Sequence, residues 1–149
     1  MHRAARFLTP ITILLIAALF LSATTTAQAT RLIVTIDGVH SNRGKVAVAL
    51  FSHAADFPDG KAADAWVKEP ASRRPITVVF HHVQPGTYAV GAYHDENDDG
   101  KLDTNLLGWP TEGYALSNGV RLSYYRPRFS ESAFTVGGAA ETVHLHMGY

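Results

Sequence analysis

The sequence predicts an all-β fold, an antiparallel β-sandwich of about seven short strands with one short helix in a loop. Short apolar segments with alternating patterns recur along the chain, and this pattern is typical of half-buried strands. Turn residues such as Gly, Pro and Asn separate the segments, and few stretches have helical spacing. This combination favours a sandwich over an α/β fold.

Residues 1–29 have the three parts of a secretory signal peptide. Basic Arg3 and Arg6 precede an apolar run from Ile11 to Leu21, and small residues end the segment at Ala29. We therefore predict cleavage after Ala29.

The predicted mature chain, residues 30–149, is long enough for one domain with its own core. The apolar run of the signal is shorter than the roughly 18 residues that span a bilayer, and no later segment is suitable. Since no cysteine is present for lipid attachment, we expect a periplasmic or secreted protein that is not a lipoprotein and has no membrane span after cleavage.

Composition excludes several classes of partner and stabilising device. Without cysteine there are no disulfides, so stability must come from packing and from any bound ion. The whole chain has zero formal net charge, and removing Arg3 and Arg6 leaves the mature part slightly acidic. This balance does not predict nucleic acid as a partner. A cell-envelope protein or a glycan stays open.

Each element follows from a local pattern. One hairpin is predicted to join Leu32 to Ile36 with Lys45 to Phe51, and a second to join Ile76 to Val83 with Thr87 to His94. The segment Gly60 to Val67, which is rich in alanine, is expected to carry the short helix. Asp95 to Tyr125 reads as a long loop ordered by function or by an ion. The predicted strands are Leu32 to Ile36, Lys45 to Phe51, Ile76 to Val83, Thr87 to His94, Ala133 to Val136, and Glu141 to Met147.

The acidic turn from Asp95 to Asp103 has the spacing of a calcium loop. Its first, third, fifth and ninth positions carry side-chain oxygens, and Gly100 at the sixth position permits a sharp bend. Calcium takes six to eight oxygens, so such a turn brings alternate side chains inward and adds a backbone carbonyl. The predicted ligands of a structural Ca²⁺ are Asp95, Asn97, Asp99, the Lys101 carbonyl, and Asp103.

The pattern departs from a helix–loop–helix calcium site after its ninth position. The twelfth residue is Leu106 rather than glutamate, and the turn follows a predicted strand. Glu112 is the nearest carboxylate that could fold back as the missing ligand. The alternative is a solvated turn, because Asn, Asp and Gly satisfy turn backbones without an ion.

Histidines offer a second metal hypothesis. His144 and His146 are two residues apart on a predicted strand, so their side chains face the same side. Such a pair could hold zinc or copper if His94, His81 or His82 supplied a third ligand. The competing interpretation is a polar, half-exposed strand face.

We predict no catalytic activity from the sequence. It has no cysteine, no Gly-x-Ser-x-Gly elbow and no His-Glu-x-x-His motif. His94 beside Asp95, or Glu112 near Tyr114 and Ser117, are pairings that more often serve turns. Aromatic residues of the long loop could instead stack on sugars or close the open end of the sandwich: Trp109, Tyr114, Tyr124 and Tyr125.

Several short motifs are spread over the predicted mature chain: Pro85 to Val90, Tyr93 to Asn97, Gly100 to Asn105, Gly108 to Tyr114, Ser117-Asn118, Pro127 to Phe129 and Ala133-Phe134. Together they resemble an exported bacterial family, catalogued as domain of unknown function 2141. The resemblance does not imply an activity, but it implies that His94, Glu112 and the acidic residues of the turn form one local cluster. Pro85-Gly86-Thr87-Tyr88 is also similar to prealbumin-like and carboxypeptidase-regulatory-like sandwiches, which implies only a fold, an immunoglobulin-like or prealbumin-like β-sandwich.

These observations predict an exported, non-catalytic β-sandwich with a structural calcium loop and a structural or adhesive role. The alternative is a periplasmic protein that binds a transition metal through histidines or binds a carbohydrate.

Overall fold

A computed structural model describes residues 30–121 and 125–149. These residues form eight strands in two sheets, with one short α-helix and two 3₁₀ turns. The predicted all-β sandwich is therefore confirmed. The predicted signal peptide and Tyr124 lie outside the described residues.

The elements follow one another along the chain, and long connections occupy residues 52–64 and residues 96–113. The 3₁₀ turns are Gly60–Ala62 and Ser117–Gly119, and the helix, α1, is Phe129–Ser132. The strands are β1 Thr30–Asp37, β2 Lys45–Phe51, β3 Ala65–Pro70, β4 Ile76–Val83, β5 Gly86–Asp95, β6 Tyr114–Leu116, β7 Phe134–Val136 and β8 Ala140–His146.

The strands form two sheets. The first sheet has the order β4-β1-β8, in which β4 is antiparallel to β1 and β8 is parallel to it. The second has the order β3-β2-β5-β6, and β7 pairs with the first residues of β5. Each sheet thus contains strands that are distant in sequence.

Both predicted hairpins are wrong. The first two strands lie in different sheets, because β1 pairs with β4 and β8 whereas β2 pairs with β3 and β5. The connection between β4 and β5 likewise crosses from one sheet to the other. A turn sequence permits the chain to reverse, but it does not decide whether the next strand pairs beside the last one or packs across the core from it.

The short helix predicted within Gly60 to Val67 is also wrong over most of its length. Only the 3₁₀ turn forms there, and the chain is extended from Ala65 onward. Val67 lies opposite Val48 of β2 and packs against the core, while Trp66 is exposed. Alternating burial against an edge of the sheet overrode a helical spacing that only a few alanines supported.

The main core lies between the inward faces of the two sheets. Leu32, Val34 and Ile36 of β1 are fully buried and belong to the same cluster as Val46 and Val48 of β2. Alternate residues of β1 between them are partly exposed. This is the alternation expected of a strand with one face on the core.

A smaller apolar cluster lies on the other face of the second sheet. Ala49 and Phe51 of β2 pack there with Ala89 of β5 and Leu116 of β6. Phe57, from the connection between β2 and β3, covers them, with its ring edge on to Phe51 at a centroid distance of 5.3 Å. Part of this outer face is therefore closed by a loop.

The segment predicted as a long loop contains regular structure. It includes β6, which pairs with Gly91 to Tyr93 of β5, and an isolated bridge between Thr104 and Pro110.

Among the described residues, no helix is long and apolar enough to cross a bilayer.

Leu145 tests the contribution of β8, whose parallel pairing with β1 no local pattern predicted. Its side chain is buried in the main core, so Leu145→Ala should lower the free energy of unfolding by about 2–5 kcal/mol. Thr142→Ala, on the exposed face of the same strand, should change it by about 0.5 kcal/mol or less. Urea denaturation measures both, and equal effects of the two substitutions would contradict this packing.

Candidate functional site

The acidic turn folds over the last residue of β5. The Asp95 side chain is only 1 % exposed, and its two oxygens accept hydrogen bonds from the backbone amides of Asp99, at 3.0 Å, and Gly100, at 2.9 Å. Gly100 has a φ of +87°, a conformation that glycine adopts without strain. The turn is therefore organised around one buried carboxylate.

The next alternate side chains continue this arrangement. Asn97 Oδ1 accepts the amide of Asp99 at 3.1 Å, and Asp99 Oδ1 accepts the amide of Lys101 at 3.1 Å. Asn97 Nδ2 donates to Asp103 Oδ2 at 2.9 Å. Such side-chain bonds to the backbone two residues on are the usual way in which Asn and Asp shape a turn.

Glu112 folds back onto the turn from the segment before β6. Its Oε1 accepts the amide of Glu96 at 2.8 Å, and its Oε2 accepts the amide of Asp103 at 3.0 Å. The side chain is 6 % exposed. One carboxylate thus joins both ends of the acidic turn.

Negative charge exceeds positive charge around the turn. Lys45 Nζ lies 2.8 Å from Asp98 Oδ1, and Lys101 Nζ lies 3.3 Å from Asp99 Oδ2 and 4.0 Å from Asp103 Oδ1.

Within residues 30–121 and 125–149, neither Asp95 nor Glu112 forms an ion pair with a lysine or arginine. Both are buried carboxylates satisfied by backbone amides.

Asp99 is held in its charged form. Burial alone would raise the pKa of its carboxyl group, but hydrogen bonds from the amide and the ammonium of Lys101, the charge of Lys101, and a bond involving Asn97 together lower that pKa. Asp99 is therefore anionic at neutral pH.

A close approach between two segments of the backbone fixes the turn to the sheet. Gly44, just before β2, has a φ of +67°, and a Cβ at this position would lie 1.9 Å from the carbonyl oxygen of Asp95. Lys45 lies opposite Asp95 in the antiparallel register of β2 and β5. Only glycine fits at position 44, and its backbone packs against the start of the turn.

All six predicted calcium ligands lie in or against this one turn. Glu112 reaches it, as proposed from the sequence, although its two oxygens bond to backbone amides. The side-chain oxygens of Asp95, Asn97, Asp99 and Asp103 bond to backbone or side-chain NH groups within the turn. The assignment of calcium to these residues stays a prediction.

A second cluster lies at the same end of β5, and sequence reasoning did not assemble it. The ligand atoms of His40, His94 and Glu96 all lie within 4.8 Å of one another. His40 Nε2 is 2.9 Å from Glu96 Oε1, and His94 Nδ1 is 3.9 Å from the same oxygen. The sequence singled out His94 but gave it other partners.

Tyr149 and a backbone carbonyl complete the surroundings of His94. The buried His94 ring contacts the Arg43 carbonyl oxygen through Nε2 at 2.8 Å and the Tyr149 hydroxyl through Nδ1 at 2.7 Å. A carbonyl only accepts, so Nε2 carries a hydrogen. Burial and the charges of Glu96 and Glu112 raise the pKa of Tyr149, despite an opposing hydrogen bond from His40, so its hydroxyl stays protonated at neutral pH.

The predicted pair on β8 lies elsewhere. His144 and His146 are both exposed on the same face of the strand, as expected, and their rings contact Thr35 and Asp37 of β1. His81 and His82 lie near the opposite end of the first sheet, because Phe80 pairs with Leu32, and His94 is in the second sheet. The structure does not bring the proposed third ligands to this pair.

The fold and this site define a class: a small β-sandwich with an acidic turn and a histidine cluster at the end of one central strand. The profile of a family described as an uncharacterized protein conserved in bacteria, DUF2141, matches residues 34–144. The chain belongs to this family, as its motifs indicated. Comparisons with curated proteins and with solved structures found no match.

Proposed function

We propose that this protein is an exported, non-catalytic β-sandwich whose acidic turn binds a structural calcium ion. The observation that supports this most directly is the pair of buried carboxylates, Asp95 and Glu112, within an excess of acidic side chains. A cation would offset the repulsion among them. The proposed role is structural or adhesive.

The chemistry of the turn suits calcium better than other common ions. Its predicted ligands are oxygens from carboxylates, an amide and a backbone carbonyl, and Ca²⁺ accepts six to eight such oxygens in flexible geometry. The hydrogen bonds of each carboxylate to backbone amides use only part of its acceptor capacity, since an ionised carboxylate has about four lone-pair sites. An ion in the turn would fix the segment from residue 95 to residue 112.

A non-catalytic role fits the use of these side chains, since the buried acidic groups hold backbone amides in place. A measurable turnover that is lost on His94→Ala while the fold is kept would contradict this part of the proposal.

Calcium should raise the melting temperature of the purified protein at millimolar concentration, and EGTA should reverse the shift, because a ligand that binds only the folded state stabilises it. Asp99→Ala should abolish the shift. Asp98→Ala is the matched control: Asp98 belongs to the same turn, but its side chain is exposed and pairs with Lys45. Mg²⁺ should give a smaller shift.

If calcium does not change the melting temperature of the wild-type protein, the proposal is wrong and the turn is stabilised by its own hydrogen bonds alone. A shift that persists in Asp99→Ala would refute the ligand assignment, even if calcium binds elsewhere.

Export is proposed from residues 1–29 alone. Expression of the full chain in a bacterial host should yield a periplasmic or secreted product whose N-terminus is Thr30, as measured by intact mass. A product that keeps Arg3 and Arg6 and stays in the cytoplasm would contradict both the cleavage and the location.

A second candidate function, carbohydrate binding, is favoured by a groove on the outer face of the second sheet. The groove has a volume of about 590 Å³, a size typical of small-ligand sites. Trp66, Tyr93 and Tyr114 line it together with the small residues Ala49 and Gly91. Of these aromatic residues, only Tyr114 is among those proposed from the sequence as possible contacts to sugars.

The groove presents aromatic rings and positive charge. The Trp66 indole NH donates to the Gly60 carbonyl, and the Tyr93 hydroxyl donates to the Gly100 carbonyl, so the polar atoms of both rings are already bonded. Three lysines also line the groove, which suits an acidic sugar: Lys61, Lys68 and Lys101.

A glycan array that contains uronate-bearing and neutral sugars tests this candidate. Binding to acidic glycans should be lost in Trp66→Ala and kept in Tyr125→Ala, which removes an exposed ring that does not line the groove. An array without hits, or equal loss in both variants, would count against the groove.

A further inference from the structure

We infer that His40, His94 and Glu96 form a zinc-binding site, separate from the acidic turn and from the exposed histidines of β8. Two imidazoles and one carboxylate are a known ligand set for zinc with one position left for another ligand. Each of the three residues supplies a suitable atom: Nε2 of His40 and Nδ1 of His94 are the nitrogens that approach a carboxylate oxygen of Glu96.

The distances are close to those that one zinc ion requires. Zinc bonds to nitrogen and oxygen are about 2.0–2.2 Å long, so two ligands of a tetrahedral ion lie about 3.3 Å apart. The distance from Glu96 Oε1 to His40 Nε2 is 2.9 Å, and that from the same oxygen to His94 Nδ1 is 3.9 Å. Equalising these values requires side-chain rotations of His40 and Glu96, which are both partly exposed, and displacement of the Tyr149 hydroxyl from His94 Nδ1.

The hydrogen bond of His94 to a backbone carbonyl favours the tautomer whose lone pair lies on Nδ1, the proposed zinc ligand. Because Nε2 donates to the Arg43 carbonyl, the neutral ring has its lone pair on Nδ1, the atom that faces Glu96. Histidines that bind metals usually donate their other NH to a carbonyl or carboxylate, which fixes the tautomer and the ring orientation. Zinc would take the lone pair that now accepts from the Tyr149 hydroxyl.

Binding also changes the contact between His40 and Glu96. A carboxylate only accepts, so the hydrogen at 2.9 Å separation is on His40 Nε2. Zinc would replace this hydrogen, and the proton would move to the solvent or to Nδ1 of the same ring.

The surroundings hold the cluster in place before any metal binds. His94 is fully buried, and the His40 ring lies against the Tyr149 ring with a centroid distance of 3.7 Å. The backbone of His40 is bonded on both sides: its amide donates to the Tyr149 hydroxyl, and its carbonyl accepts from Arg73 Nε. The side chain of His40 is 49 % exposed, so an ion can enter from the solvent.

Ligand type separates this site from the proposed calcium turn. Imidazole nitrogens select zinc and copper, whereas carboxylate and carbonyl oxygens suit calcium. Glu96 lies within the acidic turn, but it is at an even position of the loop and its carboxylate contacts His40 rather than the turn. The two sites therefore share no proposed ligand.

Isothermal titration of ZnCl₂ into the protein, purified without a polyhistidine tag, tests the site. The wild-type protein should bind one Zn²⁺ per chain. His40→Ala and Glu96→Gln should each weaken binding at least tenfold, since loss of an outer-shell partner alone costs about 10–100-fold. The matched control is the double variant His144→Ala/His146→Ala, which removes two exposed imidazoles from β8 and should bind Zn²⁺ like the wild type.

The melting temperature of each variant without metal separates loss of a ligand from loss of the fold. His40 and Glu96 are partly exposed, so their variants should melt close to the wild type.

Two results would overturn the site itself. One is a wild-type protein that takes up no Zn²⁺ at micromolar concentration. The other is binding that His40→Ala and Glu96→Gln leave intact, whether or not the β8 double variant loses it. Asp99→Ala should keep its zinc affinity, so failure of the calcium proposal and failure of the zinc site are measured separately.

Discussion

The antiparallel pairing of β2 with β5 is the interaction on which both clusters depend. It places Lys45 opposite Asp95, and Gly44 lets the chain before β2 pass against the Asp95 carbonyl with no room for a side chain. The same approach brings the Arg43 carbonyl to His94. A shift of this register by one residue would turn the buried side chains of β2 to the other face and separate these contacts.

Glu96 links the two clusters through its two ends. Its backbone amide donates to Glu112, which folds back onto the acidic turn, and its carboxylate contacts His40 in the connection between β1 and β2. Order in the turn therefore also positions a group of the histidine cluster. Different ligand atoms thus lie near the end of β5. Asp95 and Glu112 provide carboxylate oxygens, and His94 provides Nδ1, which has the lone pair because Nε2 donates to the Arg43 carbonyl.

Local spacing was sufficient to predict the acidic turn, because its hydrogen bonds join residues two to six positions apart. Alternation likewise predicted most strands at nearly their observed bounds. Asp95, Asn97 and Asp99 share a turn for reasons that lie within nine residues of sequence. The return of Glu112 to the turn could also be proposed from the sequence, since only the short segment 104–111, with Gly108 and Pro110, separates the two.

The sequence by itself determined the strand pattern, the buried faces and the acidic turn, because each depends on neighbours along the chain. Only the tertiary structure decided which strands pair, that β3 is an edge strand rather than a helix, and that His40 meets His94 and Tyr149. These contacts join residues 54 and 109 positions from His40, and no local rule specifies such pairs. They arise because two sheets must bury their apolar faces against each other, and that packing alone brings distant connections to one end of the sandwich.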